Sequence, residues 1–218
     1  MSSRGTNWHS ERSEESAFST AYVQIPRRYA PRDDALLVRI VAILLVLAAS
    51  PLAAQQRAAT TVILVRHAEK AALPAEDPAL TVEGQARAQA LMAIARDAGV
   101  TAIITTQFAR TRETARPAVE ALHITPEIVS AGGAQHAQEV AKAILSGHAG
   151  AVVLVVGHSN TIPAIVAALG APRPPPICDS EYDGLYFVTV PATGVARVIR
   201  ARYGEPSPAL AGCGGMKH

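Results

Sequence analysis

The stretch Thr60-Thr61-Val62-Ile63-Leu64-Val65-Arg66-His67-Ala68-Glu69 decides how this chain folds. Its first six residues are β-branched or apolar and do not alternate with polar ones. A strand with one wet face would alternate. An unbroken run of this length reads as a strand buried on both faces, as in a parallel sheet. A second run, Ala151 to Val156 (AVVLVV), reads the same way and leads into Gly157-His158-Ser159-Asn160.

Between the two runs, helix and strand alternate. Thr81 caps a helix with Glu83 in its first turn, where a carboxylate suits the dipole. Ala86, Ala90, Leu91, Ile94 and Ala98 give that helix an apolar stripe, and Gly99 ends it. Val100 to Thr105 is a second strand. Arg110 to Leu122 is a helix that Pro117 should bend or restart. Ile124 to Val129 is a weak third strand. Gln135 to Leu145 and Thr161 to Leu169 are helices, with Gly170 closing the latter. Ala171 to Pro176 holds four prolines and must be extended or irregular. Leu185–Val190 and Val195–Ala201 flank a Pro-Ala-Thr-Gly turn and read as a hairpin. The residues after Arg202 read as a loose Gly/Pro-rich tail. This order predicts an α/β fold, a three-layer α/β/α sandwich with a mostly parallel sheet. The expected domain spans residues 60–203, with a tail at 204–218.

Composition agrees. Of 218 residues, 49% are hydrophobic and 17% charged, enough for a core and contrary to disorder. Aromatics are 4%, so the core must be built from Ala, Val, Leu and Ile. A net charge of +2, with no basic run interleaved with aromatics, gives no signal for nucleic acid. The two cysteines, Cys178 and Cys213, are too few for a disulfide framework and are not at CxxC spacing. There is no GxxxxGK[ST] loop and no HExxH. His67 and His158 lack a third ligand, so no metal and no cofactor is expected.

The N-terminus reads as an address. Arg27, Arg28 and Arg32 precede an apolar run from Leu36 to Ala49, and Pro51-Leu52-Ala53-Ala54 supplies small residues for cleavage. That is the plan of a secretory signal peptide, about residues 36–54, and the run is short for a membrane span. Export to the periplasm or the extracellular space follows, where Cys178 and Cys213 could pair. Residues 1–30 have no hydrophobic period, and translation is expected to start further in, near Val23 or Leu36.

Sites in parallel α/β sheets form beyond the carboxyl ends of the strands. Two buried strands end there in histidine, His67 and His158. Arg66 stands beside the first, and the junction Thr105-Thr106-Gln107-Phe108-Ala109-Arg110 brings a second arginine to the same rim. Four such groups repel one another unless an anion lies among them. The planar fork of arginine matches phosphate oxygens bidentately, so the simplest ligand is a phosphoryl group. Arg112 and Arg116 read as solvated, Glu69 as orienting its loop, and His123, His136 and His148 as bystanders.

Arg66-His67-Ala68-Glu69 resembles the Arg-His-Gly-Glu motif of the histidine phosphatase superfamily, the branch that contains the cofactor-dependent phosphoglycerate mutases. Leu80-Thr81-Val82-Glu83-Gly84 resembles its Leu-Thr-x-x-Gly helix start. Thr105 to Ala115 resembles its Ser-x-x-x-Arg-x-x-x-Thr-Ala segment, and Gly157-His158-Ser159-Asn160 its Gly-His-x-Asn. The four motifs stand in the family's order across residues 60 to 170. The resemblance implies a phosphoglycerate mutase-like fold and a metal-independent phosphatase acting on a small phosphorylated substrate. His67 would be the nucleophile, Arg66, Arg110 and His158 would hold the phosphoryl group, and Asn160 would assist.

Two departures carry weight. Ala68 replaces the motif's glycine, which matters only if the position needs positive φ. The segment after the third strand, Val129 to Ala134, lacks the acidic residue that protonates the leaving group in many relatives. Glu181, Asp183 or Glu127 would have to substitute, with Asp179 in the same late cluster. Otherwise the leaving group needs little protonation, as in a phosphoanhydride or a phosphohistidine. Two alternatives stand beside the main reading: a protein phosphohistidine phosphatase, and a non-catalytic phosphate-binding protein of the same fold.

Overall fold

The computed structural model describes residues 58–207, together with Val38 and Arg39. The chain divides into two units, residues 1–50 and 51–218. Of the first, only Val38 and Arg39, both helical, are described. The expected signal segment, the expected N-terminal extension, Cys213 and the end of the tail lie outside the described residues.

From Thr60 the elements run β1 (Thr60–Arg66), α1 (Val82–Asp97), β2 (Ala102–Thr105), α2 (Ala109–Leu122), β3 (Glu127–Ile128), α3 (His136–Gly147), β4 (Val152–Gly157), α4 (Ile162–Ala168), β5 (Gly184–Val190) and β6 (Arg197–Arg202). They form one sheet in the order β3-β2-β4-β1-β5-β6. β1 and β2 each pair parallel with β4, and β3 pairs parallel with β2. β5 runs antiparallel to β1 and forms a hairpin with β6.

The unbroken apolar run of β1 has the reason its sequence suggested. Val62 and Leu64 face a core closed by α3 and α4, through Val140, Ile144, Ile162 and Ile165. Ile63 and Val65 face the opposite core, closed by α1 and α2 through Leu91, Ala95, Ala115 and Ala118. All four strand residues are 0% exposed. A sheet covered on both faces leaves no position for a polar side chain in its central strands. The edge strand β6 carries Arg197, Arg200 and Arg202, charges that discourage pairing with another sheet.

Boundaries moved where local chemistry overrode the apolar pattern. The second strand begins at Ala102 and not at Val100, because Val100 is spent on the helix end. Val100 N donates to Ala95 O, and Gly99 N to Arg96 O, with Gly99 at φ 68°. This is a Schellman closure, which needs the left-handed residue that glycine supplies cheaply. The third strand shrinks to Glu127–Ile128 because Pro126 cannot donate to a ladder. α2 runs through Pro117 as a single element, with no restart. Burial of Thr111, Thr114, Ala115 and Ala118 along one side holds it in place.

The tail expected to be loose is pinned over its described part. Tyr203 is buried, and its carbonyl and that of Glu205 accept from Arg87 at 2.8 Å each. Ser207 Oγ accepts from Tyr182 N at 2.8 Å and Asp183 N at 3.1 Å.

One topological feature places the site. The connection leaving β1 passes over the α1/α2 face, and the one leaving β4 passes over the α3/α4 face. β1 and β4 are neighbours, so their outgoing loops part and leave a crevice at their carboxyl ends. His67 and His158 are the first residues beyond those two strands.

Candidate active site

His67 N donates to Gly157 O at 2.9 Å, which carries the sheet pairing one residue past β1 and holds the two histidine loops side by side. The two imidazole rings lie 5.5 Å apart, edge to face. His67 Nδ1 lies 2.8 Å from the carbonyl of its neighbour Ala68. A carbonyl only accepts, so Nδ1 carries the proton and Nε2 keeps its lone pair. This is the backbone anchor a nucleophilic imidazole needs.

Ala68 N in turn donates to Thr114 Oγ1 at 2.9 Å, and that hydroxyl donates to Arg110 O at 2.7 Å. The loop bearing His67 is thus tied to the helix bearing Arg110. Ala68 is fully buried and is not among the residues at positive φ, so its departure from glycine costs nothing here.

Arg66 is 5% exposed. Its Nη1 donates to the carbonyls of Cys178 at 2.7 Å, Asp179 at 2.8 Å and Glu181 at 3.1 Å. Its Nε is buried with no hydrogen-bond partner. Cys178 is disulfide-bonded. Arg110 stacks on Phe108, its guanidinium carbon 4.1 Å from the ring centroid, and its Nε is likewise buried without a partner. Two arginines with unspent buried donors at one crevice point to an anion that is meant to complete them.

The cation at the start of α2 is compensated by a residue the sequence reading passed over. Asp77 accepts from Ala109 N at 2.8 and 3.0 Å through its two oxygens, and lies 3.6 Å from Arg110 Nη1. A carboxylate on the first turn offsets an arginine there. No local pattern marks Asp77; only the folded loop from Ala71 to Ala79 brings it to α2.

His158 Nε2 lies 3.1 Å from Thr106 Oγ1, and its ring meets Phe108 at 5.4 Å. Arg66, His67, Arg110 and His158 all line one cleft of about 360 Å³, with Lys70, Phe108, Asn160 and Asp179. The four main candidates of the sequence thus lie together at one cleft. Asn160 stands exposed on the rim. Lys70, a rim cation, was missed; it lies too far along the loop to have shown a pattern. Arg112 and Arg116 are exposed, as expected, and Glu69 forms an ion pair with Arg87 at 2.7 Å that braces its loop.

The substitute acids do not reach the cleft. Glu127 pairs with His148 Nε2 at 3.2 Å on the edge of the sheet. Glu181 is held by Arg200. Asp183, 1% exposed, is held by Arg202 at 2.6 Å and by Ser207 N at 3.2 Å. Of the late acidic cluster only Asp179 lines the cleft, and its carboxylate is 82% exposed. Among the described residues no three His, Cys, Asp or Glu side chains gather as metal ligands, and no helix is long and apolar enough to cross a membrane.

If protonated, His158 would add a third donor to the site. Burial, followed by Arg110, His136 and Arg66, pushes its pKa from 6.5 down to about 4. His136, read from sequence as a bystander, is buried beside the site, with Nδ1 3.1 Å from Ser130 O. Burial is also the first cause for His67, which falls from 6.5 to about 3, with Arg66, His158 and Arg110 adding to it. Both imidazoles are therefore neutral near pH 7, which suits a nucleophile. A bound phosphoryl dianion would push both back up.

This has a consequence for stability. Between the folded and unfolded pKa values the unfolded chain binds more protons, so stability rises with pH in that window. It is complete above about 6.5 and is lost as pH falls toward the folded values of about 3 and 4. At pH 5 each histidine is expected to cost roughly 2 kcal/mol relative to neutral pH. Denaturant unfolding of the ligand-free protein at pH 5 and 7.5 measures this. A double variant, His67→Ala with His158→Ala, should lose clearly less between the two pH values, and an equal loss would remove these histidines as the cause.

Comparison with known proteins agrees with the motif order. Residues 62–131 match the profile of the histidine phosphatase superfamily (branch 1), a segment that holds Arg66, His67 and Arg110. Solved structures share the fold. The protein histidine phosphatase SixA, in complex with tungstate, superposes with a TM-score of 0.53 at 20% identity over 65% of this chain and 96% of its own. A mycobacterial glucosyl-3-phosphoglycerate phosphatase gives 0.51 at 13% identity over 66% and 98%. A protein described as mycobacterial hydrolase 2 gives 0.51 at 15% identity over 70% and 94%. No curated protein matches the sequence. Fold, motif order and sequence profile coincide: over residues 62–131 the chain is similar to the histidine phosphatase superfamily, branch 1.

Proposed function

We propose that this protein is an exported, metal-independent phosphohydrolase that works through a phosphohistidine on His67. The family supports phosphatase chemistry in general. The observation that carries the specific reading is the orientation of His67. Its Nδ1–H is committed to Ala68 O, which leaves Nε2 as the attacking atom. In the first step Nε2 bonds to phosphorus as the bond to the leaving oxygen or nitrogen breaks. Arg66 and Arg110 bind the equatorial oxygens and stabilise the charge they carry in the transition state. The Ala68 carbonyl supports the positive ring that results. In the second step water attacks phosphorus, the N–P bond breaks, and inorganic phosphate leaves with His67 neutral again. Export rests on the segment from Leu36 to Ala54 alone.

The preferred substrate class follows from the acids. Among the described residues the one carboxylate that lines the cleft, Asp179, is 82% exposed and packed against nothing that would hold it over a leaving group, so the leaving group departs with little help. Phosphoanhydrides, acyl phosphates and phosphoramidates meet that condition better than alkyl phosphates. A phosphohistidine is a phosphoramidate, so a phosphohistidine-directed activity belongs to this class.

A series of aryl phosphates of rising leaving-group pKa, assayed for phosphate release with chelator present, tests this. Activity is expected to survive the chelator. The rate constant kcat/KM should fall steeply along the series, by about tenfold or more for each two to three units of leaving-group pKa. A flat series would mean that an acid protonates the leaving group, and loss of all activity in chelator would end the metal-independent reading.

A further inference from the structure

Arg66 is held on one side only. Its Nη1 sits in a cage of three carbonyls, from Cys178, Asp179 and Glu181, at 2.7, 2.8 and 3.1 Å. Its Nε has no partner, and the nearest carboxylate oxygen to Nη2 is Asp179 Oδ1 at 3.9 Å. The Nε/Nη2 edge is therefore the one left for two oxygens of an anion, the bidentate geometry that gives arginine its advantage over lysine.

The cage holds Nη1 and, through its in-plane N–H bonds, restrains the guanidinium from one end only. The far edge, Nε and Nη2, needs support from the face of the group. The aim of that edge depends on the plane of the guanidinium. The ring of Tyr182 lies 4.2 Å from the guanidinium carbon, and 6.2 Å from the His67 ring. An aromatic face at that distance attracts the cation and resists its rotation.

Tyr182 comes from the same segment as the cage. Its backbone is pinned independently of its ring: Tyr182 N donates to Ser207 Oγ at 2.8 Å, and Asp183 N to the same oxygen at 3.1 Å. Removing the ring therefore need not release the carbonyls.

We propose that Tyr182 is a positioning residue for Arg66: stacked on the guanidinium, it sets the plane in which the Nε/Nη2 edge meets the phosphoryl group. The inference rests on the phosphatase reading for the identity of that anion. It assigns the work to the ring face and none to the hydroxyl.

The test compares Tyr182→Phe and Tyr182→Leu with the parent in the 218-residue chain. The probe is tungstate, a phosphate-shaped oxyanion, with its Kd measured by calorimetry. Turnover of an activated aryl phosphate and the melting temperature are measured in parallel. The phenylalanine variant should match the parent within about twofold in both Kd and kcat/KM. The leucine variant should bind tungstate about tenfold more weakly and lose at least that factor in kcat/KM, at an unchanged melting temperature. A leucine variant equal to the parent in tungstate affinity overturns the proposal. So does a phenylalanine variant as impaired as the leucine one, which would move the role to the hydroxyl. A parent that does not bind tungstate also overturns it, since Arg66 would then have no oxyanion to meet. Failure of the phosphohistidine reading has a separate signature, turnover that persists in His67→Ala, and it leaves the tungstate comparison to decide Tyr182.

Discussion

Replacing His67 with alanine is expected to lower phosphate release by about 10⁴-fold or more while the protein stays folded. The imidazole lines the cleft with its Nε2 lone pair free, because Nδ1 is tied to Ala68 O at 2.8 Å. Removing a nucleophile forces a direct attack by water, and what remains is the contribution of binding and of the phosphate-holding arginines. The ring lines an open cleft, so its loss does not excavate the apolar core. The variant should keep its tungstate affinity within a few-fold, because Arg66 and Arg110 still provide the main donors. The measurement is kcat/KM for an activated aryl phosphate, together with a search for protein-bound phosphate that survives alkali and is lost in mild acid. Parent and variant with equal rates would remove His67 from the mechanism. Bound phosphate that appears equally in both would place the covalent step on another residue.

Gly84→Ala is expected to cost about 3 kcal/mol of stability and, with it, much of the activity. A Cβ at residue 84 would sit 2.2 Å from Glu69 O and 3.1 Å from both Glu69 C and Glu69 N. These are backbone atoms and cannot swing aside as a flexible side chain does. Glu69 O is already committed, accepting from Thr81 N at 3.0 Å, the cap residue of α1. The helix must therefore back away from the loop, or the loop from the helix. Glu69 is two residues from His67, and its carboxylate is bonded to Arg87 on the same helix. Either movement loosens that ion pair and the anchor of the nucleophile. A fall in melting temperature of about 10 °C is expected for a domain of this size, accompanied by a larger proportional loss in kcat than in KM. A melting temperature equal to that of the parent would mean that the approach relaxes without consequence.

Gly84 also illustrates what a motif does and does not say. In the sequence it is the last position of a Leu-Thr-x-x-Gly helix start. Its reason, a helix laid against a backbone carbonyl of the catalytic loop, exists only in three dimensions. The missing acid has the same character. Glu127, Glu181 and Asp183 were suitable by residue type and by place in the chain, yet each is taken by a cation or a hydroxyl-bearing loop outside the cleft. Burial and pairing decided their availability, and neither is written in a local pattern. Histidine ordinarily titrates near neutrality, so the charge of His158 was open in the sequence. A buried position between two arginines makes that charge unfavourable.

The sequence by itself determined the strands that carry the site and the residues at their ends. Two apolar runs without alternation can satisfy the hydrophobic effect only when both faces are covered, so the layered α/β architecture and the two-sided burial of β1 and β4 followed from the apolar pattern alone. The residues that follow those runs, His67 and His158, then fell at the carboxyl edge of the sheet, and the pairing of β1 with β4 set them side by side. The tertiary structure alone decided everything that depends on groups far apart in the chain. It supplied the carbonyl cage from residues 178–181 around Arg66, Tyr182 stacked upon it, Asp77 capping the helix of Arg110, and the neutral state of both histidines. The physical reason is one of range. Hydrophobic period and turn chemistry act over a few residues and leave their mark in the sequence, whereas hydrogen bonds, desolvation and charge act through space between segments that only the completed fold makes neighbours.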